Sequence, residues 1–294
     1  MGSRTAAHAH PVLCDLDGVV WLSHRPIPGS VEAIARLRSA GHRVVFVTNN
    51  SFATRAEQEQ ALADIGIPAR GDVVTSSMAA GTLLAPGQRV LVCGGPGIVE
   101  AVEEAGALVV SGTDFDAEMA ADRRAAVDAV IVGFHRDFDY ESMRRAARAV
   151  RDGARFIGTN EDATYPTSEG EIPGGGSILA AVRTAAGVEP VVAGKPHVTM
   201  AACVRRLLDE ASRPLDGGSS TDPSSRQRVD DWISRAVMVG DRPATDGRFA
   251  REVGCRFALV RSGVAPTTIE APGAVRVDIE SADLAGVADV ILGS

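Results

Sequence analysis

The stretch CDLDGVVWL, residues 14–22, places two carboxylates two residues apart at the end of an apolar run and follows them with glycine. The preceding run, 11–14, predicts the end of a short buried strand. Carboxylates are costly to bury unless a partner or a cation compensates their charge. Two interpretations of Asp15 and Asp17 therefore stand at this point: a turn at the strand end, or one half of a metal site.

Composition and charge narrow the class of protein. The 294 residues are 45% hydrophobic and 23% charged, as in a globular protein of one large or two ordinary domains. A net charge of −8 argues against a nucleic-acid-binding surface, which needs clustered basic residues. No apolar run approaches the roughly 18 residues of a membrane span. We therefore expect neither nucleic acid nor a membrane as a partner.

The N-terminal and cysteine patterns indicate a cytoplasmic protein. The opening residues, MGSRTAAHAHP, lack the apolar core of a signal peptide. The four cysteines stand singly in apolar segments, without the CxxC spacing of zinc sites, at positions 14, 93, 203 and 255. Such spacing is typical of small core residues in a reducing compartment.

Short β-branched runs alternate with longer helical stretches along the chain. We predict strands at 12–16, 43–48, 89–93, 107–110, 129–133, 155–158, 190–193, 236–240, 255–260 and 274–278. We predict helices at 29–40, 54–65, 140–152 and 197–211. This alternation favours βαβ units, and hence a doubly wound, largely parallel α/β sheet with helices on both faces.

Four of the predicted strands end in polar clusters. The clusters are Asp15-Leu16-Asp17-Gly18, Thr48-Asn49-Asn50-Ser51, Gly194-Lys195-Pro196 and Gly240-Asp241-Arg242, the last followed by Thr245-Asp246. Ligands of open α/β sheets bind at the carboxyl ends of the strands. We therefore expect all four clusters to meet at one edge of one sheet.

The spacing of the clusters predicts a second domain. The stretch between Thr48 and Lys195 is far longer than a βαβ crossover needs. Its own alternation of strands and helices predicts an inserted α/β domain at 87–172, which leaves 1–86 and 173–294 as the core. The segment 213–228 is rich in Ser, Gly, Asp and Pro and predicts a flexible surface loop within the core.

If the clusters meet, their chemistry suits phosphoryl transfer. Four carboxylates could not all be ionised side by side without a cation, and hard oxygen ligands suit Mg²⁺. These carboxylates belong to Asp15, Asp17, Asp241 and Asp246. Lys195 adds a compact positive charge, and Thr48 offers a hydroxyl to phosphoryl oxygens. Positioning and charge neutralisation of this kind carry most of the catalysis in phosphoryl transfer.

The four clusters, in this order, resemble the motifs of the haloacid dehalogenase superfamily of phosphatases. The likeness is closest to subfamily IIA, which carries a large α/β cap between the second and third motifs. That subfamily includes p-nitrophenyl phosphatases, pyridoxal phosphate phosphatases and glycerol-phosphate phosphatases. The resemblance covers almost the whole chain and extends to Pro28-Gly29, Gly158-Thr159-Asn160, Asp162, Pro166 and 170–176 (GEIPGGG). It implies a Rossmann-like core with an inserted cap, and the segment 213–228 departs from the family pattern.

The resemblance also implies catalytic roles. Asp15 would be the nucleophile that forms an aspartyl-phosphate. Asp17 would protonate the leaving alcohol and then activate the hydrolytic water. An acid at position 17 distinguishes a phosphatase from a dehalogenase, which needs only the first Asp.

The metal and substrate contacts follow from the same resemblance. Mg²⁺ would be bound by Asp15, Asp241 and the main-chain carbonyl of Asp17, with Asp246 supporting it indirectly or through water. The phosphoryl group would be held by Thr48 and Lys195. We expect substrate contacts from Asn160 and Asp162 in the inserted domain, and from at least one of Asn49, Asn50 and Ser51. The alternative is that Asn49, Asn50 and Ser51 only cap the helix that follows, near residue 53.

The sequence thus predicts a Mg²⁺-dependent phosphatase of small organic phosphates, of the glycerol phosphate, phosphoglycolate or pyridoxal phosphate type. A nucleotide 5′-phosphatase and a catalytically silent phosphate-binding regulator remain as alternatives. One catalytic set serves many leaving groups, so the sequence does not name the substrate. Inserted domains and exposed sheet edges can mediate a homodimer, and no apolar stripe in the sequence decides the oligomeric state.

Overall fold

A computed structural model describes residues 9–120, 127–167, 170–212, 230–263 and 275–293. The predicted loop at 213–228 lies outside the described residues. The strands are Val12–Cys14, Trp21–Leu22, Arg25–Pro26, Val44–Thr48, Val73–Thr75, Arg89–Cys93, Leu108–Val110, Ala129–Val132, Arg155–Gly158, Thr164–Thr167, Gly170–Pro173, Val191–Val192, Val237–Gly240, Arg256–Val260 and Ile279–Ser281. The helices are Ser30–Ser39, Arg55–Asp64, Ser76–Gly81, Pro96–Glu104, Gly112–Ala120, Tyr140–Arg151, Gly175–Ala186, Val198–Ser212, Arg248–Val253 and Leu284–Gly293, with a π-helical turn at Pro243–Gly247. Within these described ranges no helix is both long and apolar enough to cross a lipid bilayer.

The chain forms two compact units. The first comprises Met1–Thr48, Glu59–Val74 and Lys195–Ser294, and the second comprises Asn49–Gln58 and Thr75–Gly194. The second unit contains the whole of the stretch 87–172, where the sequence predicts an inserted domain. The boundaries of that domain stay a prediction.

A six-stranded sheet organises the first unit. Its strand order is Ile279–Ser281, Arg256–Val260, Val237–Gly240, Val12–Cys14, Val44–Thr48 and Val73–Thr75. The central strand pairs in parallel with both neighbours, so that Cys14 lies opposite Phe46 on one side and Val239 on the other. The predicted parallel α/β architecture is therefore confirmed.

Both faces of this sheet are buried. Val12 and Cys14 belong to an apolar core that also includes residues of helices Ser30–Ser39 and Leu284–Gly293. Leu13 points to the opposite face and is equally inaccessible to solvent. Burial on both faces explains why the central strands are continuous apolar runs, and it leaves the strand ends as the place for polar side chains.

A five-stranded parallel sheet organises the second unit. Its strand order is Val191–Val192, Arg155–Gly158, Ala129–Val132, Arg89–Cys93 and Leu108–Val110. Its core includes apolar residues of two helices that pack on each other, Tyr140–Arg151 and Gly175–Ala186. The strands Thr164–Thr167 and Gly170–Pro173 form a separate antiparallel pair.

Two strand predictions are wrong. The sequence pattern predicts that the strand before Lys195 lies in the same sheet as the strands before the other three polar clusters. In the structure, Val191–Val192 pairs with Ile157 and Gly158 in the second unit. Both sheets are parallel and built from β-branched residues, so composition does not reveal which sheet a short edge strand joins. The predicted strand 274–278 is also displaced: the edge strand of the first unit begins at Ile279, because propensity indicates extended chain without indicating where pairing starts.

Candidate active site

The first acidic cluster follows the central strand of the first unit. The amide of Asp15 donates to Val239 O at 3.0 Å and so extends the parallel pairing by one residue beyond Cys14. The chain then turns at Gly18, whose φ is 88°. A Cβ on Gly18 would collide with Asp241 Oδ2, so a glycine is needed both for the left-handed backbone and for the close approach of that carboxylate.

The second acidic cluster follows the neighbouring strand, Val237–Gly240. Asp241 comes directly after this strand and is buried, with 3% of its surface exposed. The π-helical turn then places Asp246 beside the strand end, where its Oδ2 accepts a hydrogen bond from Arg242 N at 3.1 Å. Asp246 is thereby brought close to Asp15, although the two residues are far apart in sequence.

Lys195 joins the two clusters. Its Nζ lies 2.8 Å from Asp15 Oδ1 and 2.8 Å from Asp246 Oδ1. Asp15 Oδ1 also accepts a hydrogen bond from Leu16 N at 2.8 Å. Lys195 is the only lysine in the sequence, and the remaining residues counted as Lys or Arg are all arginines. The single use of a compact ammonium at this buried position was a sequence signal for the site, because arginine is a larger, planar group.

Burial and neighbouring charges set the protonation states of Asp15 and Lys195. Burial raises the pKa of Asp15 to about 6, although Lys195 acts in the opposite direction. Burial by itself would lower the pKa of Lys195, but the charges of Asp15 and Asp246 outweigh it and raise that pKa above its ordinary value. Lys195 therefore stays charged at neutral pH, and Asp15 loses its proton near the acid side of neutrality.

Three of the carboxylates lie close enough together to bind one metal ion. One oxygen from each of Asp15, Asp241 and Asp246 lies within 4.8 Å of the other two. It is the single such group of three acidic, His or Cys side chains found among the described residues. Three negative oxygens with one ammonium neighbour form a donor set that fits a hard divalent cation such as Mg²⁺.

The other predicted residues of the first unit lie at the same ends of the strands. Thr48 is the last residue of Val44–Thr48, which is the strand beside Asp15, and it is buried. Asp17 lies in the turn, where its main chain bridges to Trp21. The side chain of Asp17 is not among the three clustered carboxylates, and its predicted ligand atom, the main-chain carbonyl, stays a prediction.

The predicted substrate-contact residues belong to the second unit, and three of them form one hydrogen-bonded group. Asn49 Nδ2 donates to Asp162 Oδ2 at 2.9 Å, and Asn160 Nδ2 donates to Asn49 O at 2.9 Å. Asn160 Oδ1 accepts from Asp162 N at 3.1 Å. Asn50 Oδ1 accepts from Phe52 N at 3.0 Å, a local turn contact before the helix Arg55–Asp64, and the cap of that helix is Thr54, whose Oγ1 accepts from Glu57 N at 3.2 Å.

Sequence reasoning missed Ser76, which also contacts this group. Its Oγ donates to Asn49 O at 2.8 Å, and the residue is fully buried. Ser76 follows directly after the strand Val73–Thr75. A polar residue after a short apolar strand is the same signal that identified the four clusters, but the strand at 73–75 was not predicted.

Comparison with known proteins places these residues in a family. A family model described as haloacid dehalogenase-like hydrolase matches residues 12–107, and a second model, described as HAD-hydrolase-like, matches residues 192–286. The chain is 35% identical to D-glycerol 3-phosphate phosphatase of Mycobacterium tuberculosis over 89% of this chain and 65% of the relative, just under two thirds of that protein's length. It is 34% identical to 5′-nucleotidase YutF of Bacillus subtilis over 86% of this chain and 87% of the relative.

A solved structure agrees with these matches. Glycerol phosphate phosphatase from Mycobacterium tuberculosis in complex with magnesium superposes with a TM-score of 0.75 at 31% identity, covering 97% of this chain and 78% of that one. The family models and the relatives thus span both the acidic strand ends and the second unit. The chain belongs to the haloacid dehalogenase-like hydrolase family.

Proposed function

We propose that this protein is a Mg²⁺-dependent phosphatase that hydrolyses a small organic phosphate monoester, of the glycerol phosphate, phosphoglycolate or pyridoxal phosphate type. The observation that carries the proposal is the lysine ammonium held 2.8 Å from both Asp15 and Asp246, in the carboxylate group that includes Asp241. This arrangement offers a nucleophilic carboxylate, metal ligands and a cation for phosphoryl oxygens within one small volume.

In the first half-reaction the ester bond breaks. Asp15 Oδ1 already accepts hydrogen bonds from Leu16 N and Lys195 Nζ, so we assign the attack on phosphorus to Oδ2. As the new bond to phosphorus forms, the bond to the alcohol oxygen breaks and Asp17 gives that oxygen a proton. The products are the free alcohol and an aspartyl-phosphate on Asp15.

In the second half-reaction water releases the phosphate. Asp17, now ionised, takes a proton from water as the water oxygen attacks phosphorus, and the bond from phosphorus to Asp15 breaks. Thr48 and Lys195 hold the phosphoryl oxygens through both steps. A Mg²⁺ ion held by Asp15, Asp241 and the Asp17 carbonyl, with Asp246 in support, would neutralise charge on the phosphoryl group.

We assign substrate choice to the second unit. Residues 87–172 would form the cap that shields the leaving group from water, and the side chains proposed to contact the substrate are Asn49, Asn50, Asn160 and Asp162. A cap of this kind favours small substrates. We place the reaction in the cytoplasm, without nucleic-acid or membrane partners. The sedimentation coefficient of the protein will distinguish a monomer from a homodimer.

A nucleotide 5′-phosphatase is the second candidate. The 34% identity to a protein named 5′-nucleotidase favours it, because that match covers most of both chains. The ratio of kcat/KM for nucleoside monophosphates to that for polyol phosphates separates the two candidates. A ratio above one would favour the nucleotidase.

Phosphate release from a panel of small phosphate esters, with Mg²⁺ and with chelator, tests the proposed chemistry. Asp15→Asn should abolish the Mg²⁺-dependent release. Asp289→Asn removes a carboxylate of which 65% is exposed and should leave release unchanged. Folded wild-type protein that releases no phosphate from any ester would favour the phosphate-binding regulator instead.

A further inference from the structure

A buried hydrogen-bond cluster surrounds the main-chain carbonyl of Asn49 in the second unit. Ser76 Oγ donates to Asn49 O at 2.8 Å, and Asn160 Nδ2 donates to the same oxygen at 2.9 Å. Ser76 is fully buried and Asn160 is 3% exposed. Two donors occupy both lone pairs of the carbonyl oxygen, so its direction is held more firmly than by one hydrogen bond.

Gly194 is packed into the same cluster. Its amide donates to Thr159 O at 2.8 Å. A Cβ on Gly194 would lie 2.6 Å from Asn49 Oδ1 and 3.0 Å from Ser76 Cβ. Asn49 and Gly194 are therefore neighbours in the second unit, although they are far apart in sequence. We call Ser76, Asn160, Asn49 and Gly194 the Asn49 cluster.

The Asn49 cluster is covalently joined to two residues that the proposed function uses. Asn49 directly follows Thr48, and Gly194 directly precedes Lys195. Two soft backbone torsions, ψ and φ of Asn49, separate the held carbonyl group from the planar peptide that joins Asn49 to Thr48. Asn49 is therefore the single residue through which a shift of the held carbonyl reaches Thr48.

We propose that Ser76 is a positioning residue for Thr48: its hydroxyl holds the Asn49 carbonyl, and the held carbonyl restricts the main chain of Asn49, to which Thr48 is directly joined. The inference rests on the proposed function, because it takes Thr48 to bind the phosphoryl group. Ser76 acts through Asn49 and makes no contact with substrate in this proposal. Small displacements matter here, since a misplacement of about 1 Å can cost roughly 10²-fold in rate.

Ser76→Ala and a matched control, Ser77→Ala, test the proposal. Ser77 is the next residue and is also buried, but its Oγ pairs with Thr75 Oγ1 at 2.7 Å. Both variants should lower the free energy of unfolding. Only Ser76→Ala should lower kcat/KM for p-nitrophenyl phosphate, by about tenfold, and weaken inhibition by inorganic phosphate. The Mg²⁺ concentration for half-maximal activity should stay the same, because the carboxylate group is untouched. Equal kinetics in the two variants would overturn the proposal.

A double-mutant cycle with Thr48→Ala identifies the path of the effect. If Ser76 acts through Thr48, then adding Ser76→Ala to Thr48→Ala should change kcat/KM by less than about twofold. A full tenfold loss in that background would show that Ser76 acts elsewhere. If Ser76→Ala does not fold, Ser76→Cys and Ser77→Cys replace the pair, because a thiol keeps the volume and donates weakly.

The same variants separate this inference from the proposed function. Wild-type protein without Mg²⁺-dependent phosphate release would contradict the proposed function alone. Binding of inorganic phosphate, measured by calorimetry with Mg²⁺ present, would then still test the positioning role. Weaker binding in Ser76→Ala than in Ser77→Ala supports the role, and equal binding contradicts it.

Discussion

Two buried polar clusters among the described residues lie at strand ends, and they differ in charge. In the first unit, Lys195 lies between carboxylates, and three acidic side chains share a volume with one ammonium. In the second unit, the Asn49 cluster is built from hydroxyl, amide and main-chain groups that hydrogen-bond to one another. The first cluster carries more negative than positive charge, whereas the direct donors to Asn49 O are neutral.

This difference indicates what each cluster can do. A buried group with excess negative charge responds to protons and cations, and such responsive groups are typical of catalytic sites. The two donors to Asn49 O, Ser76 and Asn160, carry no charge, so their contribution is to fix geometry.

Removal of the ammonium should have the largest effect. Lys195→Met leaves buried carboxylates without their cation, so the free energy of unfolding in chelator should fall by about 3–5 kcal/mol. The loss of charge stabilisation should also lower kcat/KM by about 10³-fold. Denaturant titration and steady-state kinetics measure the two effects.

Arg36→Met is the control for the lysine variant. Arg36 and Asp289 form an ion pair of 2.7 Å, similar in length to the pairs of Lys195, but about half or more of each side chain is exposed. Its loss should cost less than about 1 kcal/mol. Similar losses in the two variants would contradict the importance of burial in the charged cluster.

Acid should weaken binding of Mg²⁺. The cation needs ionised Asp15, whose pKa burial raises to about 6. Below that pH a proton competes, and Mg²⁺ affinity should fall by up to about tenfold per pH unit, whereas above it affinity should be flat. Calorimetric titration from pH 5 to pH 8 measures the profile, and Asp15→Asn should lack the step. Mg²⁺ affinity that stays flat down to pH 5, as the ordinary carboxyl value of 3.8 requires, would contradict it.

The same raised pKa affects stability without metal. Between 3.8 and about 6 the folded protein keeps a proton on Asp15 that the unfolded chain has released. The free energy of unfolding in chelator should therefore fall as pH rises through this window. Asp15→Asn should lack this contribution to the fall.

A Cβ at the turn should disturb the carboxylates. Gly18→Ala imposes a left-handed backbone on alanine and collides with Asp241, whereas Gly87→Ala imposes a similar backbone with nothing within 4 Å of the added Cβ. The left-handed backbone should cost both variants about 1–2 kcal/mol of unfolding free energy, and the collision should add to the loss in Gly18→Ala. Only Gly18→Ala should also weaken Mg²⁺ binding, which calorimetry measures. Equal Mg²⁺ affinity in both variants would contradict the close packing of Asp241.

A change beside the Asn49 cluster, at Thr159, whose Oγ1 accepts from Asn160 Nδ2 at 3.4 Å, should affect stability alone. The Oγ1 of Thr159 donates to Ser51 Oγ at 3.1 Å, and the residue is fully buried. Thr159→Val should lower the free energy of unfolding by about 1–3 kcal/mol. The loss should be the same at pH 5 and pH 8, as measured by denaturant titration, and Mg²⁺ affinity should not change. A pH-dependent loss would contradict the contrast between the two clusters.

Some of the site could be predicted because local pattern identifies a strand end. Asp15, Thr48 and Asp241 each follow an apolar run that pairs with its neighbours in a parallel sheet, so their proximity follows from the sheet. Lys195 also lies beside Asp15, but the strand that precedes it belongs to the other sheet, so its position does not follow from the sheet of Asp15.

Other features depend on contacts that a linear pattern does not contain. Ser76 follows a strand of three residues, too short to give a clear period. The approach of Asn160 to Asn49 O joins distant segments through packing of the second unit. Position 18 has no room for a Cβ because Asp241 lies beside it. The sequence therefore indicates a turn there but not why that turn needs a glycine.

The proposed aspartyl-phosphate can be detected by quenching the reaction in acid and searching for phosphate on Asp15. During turnover of a small phosphate ester with Mg²⁺, we predict a phosphate adduct on the peptide that contains Asp15. The adduct should be absent with chelator and absent in Asp15→Asn. Rapid Mg²⁺-dependent phosphate release with no adduct on that peptide at any quench time, or with the adduct on another residue, would contradict the account.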